Sequence, residues 1–336
     1  MLCGAIDIHK HVFQAVVLDP ESGESVEDRF PASREELGRW VEQRLAGREC
    51  VVAVEATTGW RWVWRELVRA GIDVRLAEPV QARALRGRRR AAKTDRLDAR
   101  WLALLLARDM LPEAWAPPLE IQRLRDLTRL RHALTEDRTR WAQRLHAFLA
   151  HEGWLCERGR LLTATGRRWV RALCLEPAPT RHAERLLGVI EALDAELAEV
   201  EREVRVIARE DPRARALQTL YGIGPVLACT LLAEIGEARR FRRGAQVVRL
   251  AGLDPVVEES ADHRRRGHLA KAGSPHLRWA LVEAAVQARR PAHVDHALHQ
   301  QICTRADATR ARLSVARKIG RRAYHVLREH ELAQAA

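Results

Sequence analysis

An α/β domain leading into a mostly helical chain is the fold class this 336-residue sequence predicts, and three observations predict it. Residues 5–78 alternate β-branched runs with helix-like runs. After residue 119, apolar residues recur at steps of three and four. The proline-punctuated AWAPP at 114–118 divides the two regimes.

In order, AIDIHKHVFQAVVLD and VEDRF read as three strands joined by short turns. SREELGRWVEQRLAG follows as an amphipathic helix, with Ser33 as N-cap, Glu36 completing a capping box and Gly47 ending it. ECVVAVE is a buried strand, WRWVWRELVRAG a helix closed by Gly71, and DVRLAE another strand. KTDRLDARWLALLLARD, residues 93–109, is the next helix, so the first domain reads βββαβαβα.

Hydrophobic residues make up 47% of the chain and charged residues 31%, the balance of a globular protein with room for a core. No apolar run reaches the length of a membrane span, and a cytoplasmic location is expected. Six scattered cysteines, with no CxxC pair, argue for reduced thiols and against a zinc site. The net charge of +13 and pI near 10.5 favour a polyanionic partner, nucleic acid first, and no membrane.

Four acids stand where chemistry would need them. Asp95 and Asp98 are three apart, which puts both on one helix face. Alternation turns Asp7 to the opposite sheet face from Ile6 and Ile8, and Glu55 ends the fourth strand. A charge inside a core strand costs several kcal/mol, on the order of 3–5, unless paired or coordinated. A salt bridge to an arginine would satisfy Asp7, and Thr94 capping a helix would explain Asp95 and Asp98. Four acids converging from distant positions are more specific, and match how an RNase H-like (RuvC-like) nuclease fold gathers carboxylates around Mg²⁺. Just before the aspartates, RALRGRRRAAK offers Arg86, Arg88, Arg89, Arg90 and Lys93 to phosphates, or forms a solvated loop.

In the middle, Leu127, Leu134, Trp141, Leu145 and Phe148 share one helical stripe. Leu186, Ile190, Leu193, Leu197, Val200, Val204 and Ile207 form a coiled-coil seam, which could pair within the chain as a hairpin or between chains. Further on, residues 214–236 read as helix, GIGP turn, helix. In such a helix-hairpin-helix the turn at Gly222 and Gly224 could hold a phosphate on its amides. RRRGHLAKAGS then reads as a basic loop carrying Arg264, Arg265, Arg266 and Lys271, with Arg278 beyond it. Ser274 followed by Pro275 is a standard helix start, and residue chemistry alone favours the cap over a catalytic hydroxyl. TRADATRARLSVARKIGRRAYHVLREH reads as a basic helix with a thin apolar face.

GAIDIHK at 4–10, VEATTGW at 54–60, KTDRLDA at 93–99, LYGIGPVLACTLLAEIG at 220–236, AGLDP at 251–255 and LAKAGSPHLR at 269–278 together resemble the DEDD transposases of bacterial insertion sequences. More narrowly they resemble the serine-bearing, bridge-RNA-guided recombinase branch. The resemblance implies an RNase H-like catalytic domain at 1–112, a helical coiled-coil region at 113–212, a C-terminal transposase domain at 213–300 and a basic helical tail at 301–336. It implies Asp7, Glu55, Asp95 and Asp98 as Mg²⁺ ligands and Ser274 as a nucleophile forming a covalent phosphoserine link to DNA. It further implies a guide RNA, DNA element ends and target as partners, and a dimeric or tetrameric homo-oligomer acting at the nucleoid. On this reading Ser274 must approach the aspartate helix, within one subunit or across two. A Holliday-junction-resolvase-like nuclease using water and a non-catalytic nucleic-acid-binding protein are the competing readings.

Overall fold

The computed structural model describes residues 1–85, 95–157, 159–260 and 263–335. The chain separates into two compact units, Met1–Ala116 and Pro117–Ala336.

The first unit is built on β1 (Leu2–Ile8), β2 (Val12–Leu18), β3 (Ser25–Pro31), β4 (Cys50–Glu55) and β5 (Asp73–Ala77). They form one sheet in the order β3-β2-β1-β4-β5, so β1 is central; β2 is antiparallel to β1 and to β3, and the β1, β4 and β5 ladder is parallel. The helices are α1 (Arg34–Arg44), α2 (Trp60–Arg69), α3 (Pro79–Ala84) and α4 (Asp95–Ala107). The expected order holds, with α3 as a short addition, and Ser33 caps α1 by accepting from the Glu36 amide.

Period-two alternation sorts the sheet into two cores. Ile6, Ile8, Val52 and Val54 pack with Leu37, Trp40, Val63 and Leu67 under α1 and α2. Ala5, Val16, Ala53 and Ala77 pack with Ala99, Leu102, Ala103 and Leu105 under α4. The alanines on this second face let α4 lie close to the sheet, which matters because Asp7 and Glu55 share that face by alternation.

In the second unit, α5 (Leu119–His151) and α7 (Pro177–Glu210) pack as a hairpin, with α6 (Ala164–Arg171) and a single 3₁₀ turn tucked at one end. The coiled-coil seam is thus used within the chain: Leu186, Ile190, Leu197, Val200 and Val204 are buried. Arg131 pairs with Glu201 at 2.7 Å and Arg138 with Asp194 at 2.5 Å as ion pairs across the hairpin.

The remaining helices are α8 (Pro212–Leu217), α9 (Pro225–Ile235), α10 (Gly244–Leu250), α11 (Pro275–Val286), α12 (His296–Arg305) and α13 (Ala308–Ala335). Helix α9 is buried on all sides from Ala228 to Ile235, as a helix apolar all round should be, and packs against α5, α7 and α11.

Two sequence expectations change here. The stretch read as a basic loop holds a strand: β6 (Pro255–Ser260) and β7 (His263–Leu269) form an antiparallel ribbon. The C-terminal helix read as thinly apolar buries Ala311, Val315, Ala316, Ile319, Ala323, Tyr324 and Leu327 against α10, α11 and α12. Small residues permit that close packing; an ideal Cβ on Gly320 would meet Leu281 at 3.2 Å.

Candidate active site

The parallel register carries the first acids to one place. Ile6 pairs with Val54, so Asp7 and Glu55 are the next residues along neighbouring central strands, on the face that α4 covers. Asp7 is only 4% exposed, with His9 Nδ1 3.6 Å from its Oδ1. Asp98 precedes the buried Ala99 and sits one turn before Leu102 on α4. Glu55 and Asp98 line one cavity of about 250 Å³ with Arg83, Trp101 and Leu102. Trp101 Nε1 donates to the Ala82 carbonyl at 2.9 Å, tying α4 to α3 across that cavity.

Asp95 begins α4 one turn before Asp98, and its side chain lies outside the described part, as do Arg86, Arg88, Arg89, Arg90 and Lys93 entirely. Among the described residues no three His, Cys, Asp or Glu side chains converge as a metal-holding group. The donors that face the cavity are hard carboxylate oxygens, the chemistry Mg²⁺ prefers. Two residues after Glu55, Thr57 has a buried hydroxyl with no hydrogen-bond partner among the described residues. The residues therefore fit a hydrated magnesium ion.

The second unit carries Ser274, and its setting is built from backbone outward. Gly273 has φ 137°, and an ideal Cβ there would lie 2.3 Å from the Leu250 carbonyl oxygen, so only glycine fits. The Ser274 amide donates to that same carbonyl at 2.8 Å, and the Lys271 amide, at φ 51°, donates to Gly252 at 3.1 Å. AGLDP and LAKAGS are thereby interlocked. Ser274 caps α11, its Oγ accepting from the Leu277 amide at 3.0 Å. The same hydroxyl donates to Glu234 Oε2 at 2.8 Å.

Glu234 is 3% exposed and was not among the sequence candidates. A buried carboxylate needs a strong partner, and Arg129 on α5 supplies one with Nε and Nη2 at 2.9 and 3.1 Å. Arg125 ties down the carbonyls of Ala233 and Glu234 at 2.6 and 3.1 Å. Burial pushes the Glu234 carboxyl up, but the hydrogen bonds and charge of Arg129, with the Ser274 hydroxyl and Arg125, hold it below its ordinary range. Burial also lowers the His276 pKa, and its ring meets His132 edge-on at 5.0 Å. The clue to Glu234 was in the sequence: it is the one acid in the apolar LACTLLAEIG, the pattern that singled out Asp7.

The other candidates find mixed surroundings. Gly222, at φ 88°, makes its close approach to the Ala284 carbonyl, 2.9 Å from an ideal Cβ, and Gly224 is the N-cap of α9. Arg278 Nη1 donates to the Ala251 carbonyl at 2.9 Å, while Lys271 is exposed. Arg264, Arg265 and Arg266 lie on β7, with side chains outside the described part. No helix among the described residues is long and apolar enough to cross a membrane.

Comparison with known proteins points one way. A family model for DEDD transposases, described as transposase, matches residues 4–152. A second, described as transposase of the IS116/IS110/IS902 family, matches residues 214–300. A "Probable family 20 transposase" of Pseudomonas aeruginosa is 28% identical over 284 residues, 83% of this chain and 82% of that protein. The transposase for insertion sequence element IS1328 of Yersinia enterocolitica is 26% identical over 70% of each chain. The transposase for IS1111A of Coxiella burnetii is 24% identical over 83% of this chain and 76% of its own length. With one model falling on the three described acids and Asp95, and the other on Glu234 and Ser274, the chain is a DNA transposase and belongs to the IS110/IS116 family.

Proposed function

We propose that this transposase cuts and rejoins DNA through Ser274, assisted by Mg²⁺ at Asp7, Glu55, Asp95 and Asp98, with a guide RNA supplying sequence choice. The observation that carries the reading is the bond from the Ser274 hydroxyl to buried Glu234 at 2.8 Å. A serine that only caps a helix needs to accept from an amide; it has no need of a buried carboxylate to receive its proton.

A divalent ion bound to the acids would polarise the scissile phosphate and offset its charge. Ser274 supplies the nucleophile and Leu277's amide fixes its oxygen at the start of α11, where a helix N-terminus favours phosphate. Arg83 on the cavity wall and the exposed Lys271 add positive charge for the DNA backbone. A covalent phosphoserine link conserves the bond energy that rejoining requires. For both residue sets to act on one phosphate, Ser274 must meet the acids, within a subunit or across two, which is the reason to expect a homo-oligomer. Support for the guide RNA comes from the motif resemblance alone; the charge of +13 suits DNA as well as RNA.

The cap bond also suits a second reading, a resolvase-like nuclease in which water attacks and Ser274 is structural. Incubating the protein with labelled element-end DNA, candidate guide RNA and Mg²⁺, then denaturing and mapping any adduct, separates them. An adduct on Ser274 that vanishes in Ser274→Ala supports the serine reading. Undiminished cleavage by Ser274→Ala overturns it, and activity unaffected by omitting RNA overturns the guide.

A further inference from the structure

We propose that Glu234 is a catalytic residue, the acceptor of the Ser274 hydroxyl proton during strand cleavage and its donor during rejoining. This rests on the serine reading above.

The argument begins with what a hydroxyl can do: one donor and two lone pairs. The donor of Ser274 goes to Glu234 Oε2 at 2.8 Å, and one lone pair takes the Leu277 amide at 3.0 Å. One lone pair remains for an incoming phosphorus. Neither neighbour can be displaced cheaply, because Gly273 and Leu250 pin the serine backbone while Glu234 is clamped by Arg129 and sits on the buried α9.

Structural need alone does not account for the serine. The Arg129 fork already pairs both carboxylate oxygens, so Glu234 would be compensated without it. Arg129 is 41% exposed and Ser274 half-buried, so the pair lies at the rim of the unit where a phosphate can arrive. The ionised carboxylate that Arg129 maintains is the form able to take a proton. His276 offers a second basic group, but its ring is turned to His132 and no hydrogen bond joins it to Ser274.

The step balances. As Ser274 Oγ bonds to phosphorus, its proton passes to Glu234 Oε2. The bond from phosphorus to the bridging deoxyribose oxygen breaks, its electron pair stays on that oxygen, and water protonates it. In rejoining, a deoxyribose hydroxyl attacks the phosphoserine and loses its proton to water, and the departing Oγ recovers its proton from Glu234.

The test measures the rate of the Ser274–DNA adduct in the full chain with guide RNA, DNA and Mg²⁺. Glu234→Gln should slow it by about 10²- to 10⁴-fold, the usual worth of a general base, while DNA binding changes little and the protein stays folded at the assay temperature. Glu234→Asp keeps the charge for Arg129 but withdraws the oxygen from Ser274, and should show a comparable loss if the Gln variant folds poorly. In a Ser274→Cys background, whose thiol ionises with less help, adding Glu234→Gln should cost under about tenfold. An adduct rate in both Glu234 variants within about threefold of wild type, or an equal loss in the serine and cysteine backgrounds, overturns the role of Glu234 alone. DNA cutting by wild type with no Ser274 adduct overturns the serine reading, and this inference with it.

Discussion

Gly273 stands so close to Leu250 that an ideal Cβ would lie 2.3 Å from the leucine carbonyl oxygen, the oxygen that also receives the Ser274 amide. Glycine is needed twice, for the contact and for φ 137°. Gly273→Ala must therefore push the serine loop off α10. We expect a loss of about 2–4 kcal/mol, in the range of strained or overpacked sites, read by denaturant unfolding. Activity should fall further than stability accounts for, because Ser274 is the next residue.

Magnesium binding should be visible without catalysis. Asp7 is 4% exposed, and the cavity lined by Glu55 and Asp98 offers carboxylate oxygens. Adding millimolar Mg²⁺ should raise the melting temperature, and chelation should reverse it. Asp7→Asn should abolish the shift, since it removes a hard anionic oxygen from the ligand set. A wild-type melting curve indifferent to Mg²⁺ would count against the site.

Glu234 ties stability to pH. Its carboxyl lies below the ordinary range in the fold, against the pull of burial, because Arg129, Ser274 and Arg125 favour the charged form. The unfolded chain, with a value of about 4.3, binds the proton at higher pH. The stabilisation is complete above that value and is lost as pH falls through the folded one. Glu234→Gln should flatten this part of the acid limb. Arg129→Met should cost about 3 kcal/mol at neutral pH, the low end for breaking a buried pair, because Arg129 is partly exposed.

How much of this was readable in the sequence depended on the reach of each interaction. The strand positions of Asp7 and Glu55 were legible because the pattern is local: the residue flanked by Ile6 and Ile8 must face away from them, and Glu55 closes the apolar run of its strand. The partnership of Ser274 with Glu234 was not, since it joins α11 to α9 across forty residues. Local reading correctly found the cap at Ser274 and stopped there. The β7 strand was hidden by HRRRGHL, whose charge and glycine read as loop, although pairing with β6 overrides that preference. The core face of α13 was hidden because half of its stripe is alanine and glycine, which pack closely while adding little hydrophobicity.

The α5–α7 hairpin makes its own prediction, because the seam that could have joined two chains is closed within one. Leu187 and Ile190 are fully buried with Leu145, Leu149 and Val170. Ile190→Ala should cost about 2–5 kcal/mol, removing the side chain and leaving a cavity. A loss that varies with protein concentration would instead place the seam between subunits, since dissociation alone makes stability concentration-dependent.

The cysteines order themselves by exposure. Cys229 is fully buried on α9, where burial pushes its thiol up to about 12, and its Sγ donates to the Val204 carbonyl at 3.6 Å. Its thiolate fraction near neutral pH is therefore negligible. Cys174 is exposed at the end of the segment between the two long helices. A maleimide pulse on the native protein should label Cys174 first and Cys229 only on unfolding. Since Cys229 lies five residues before Glu234 on the same helix, its labelling also reports whether a Glu234 or Arg129 variant has opened α9, which separates lost chemistry from lost structure at the serine.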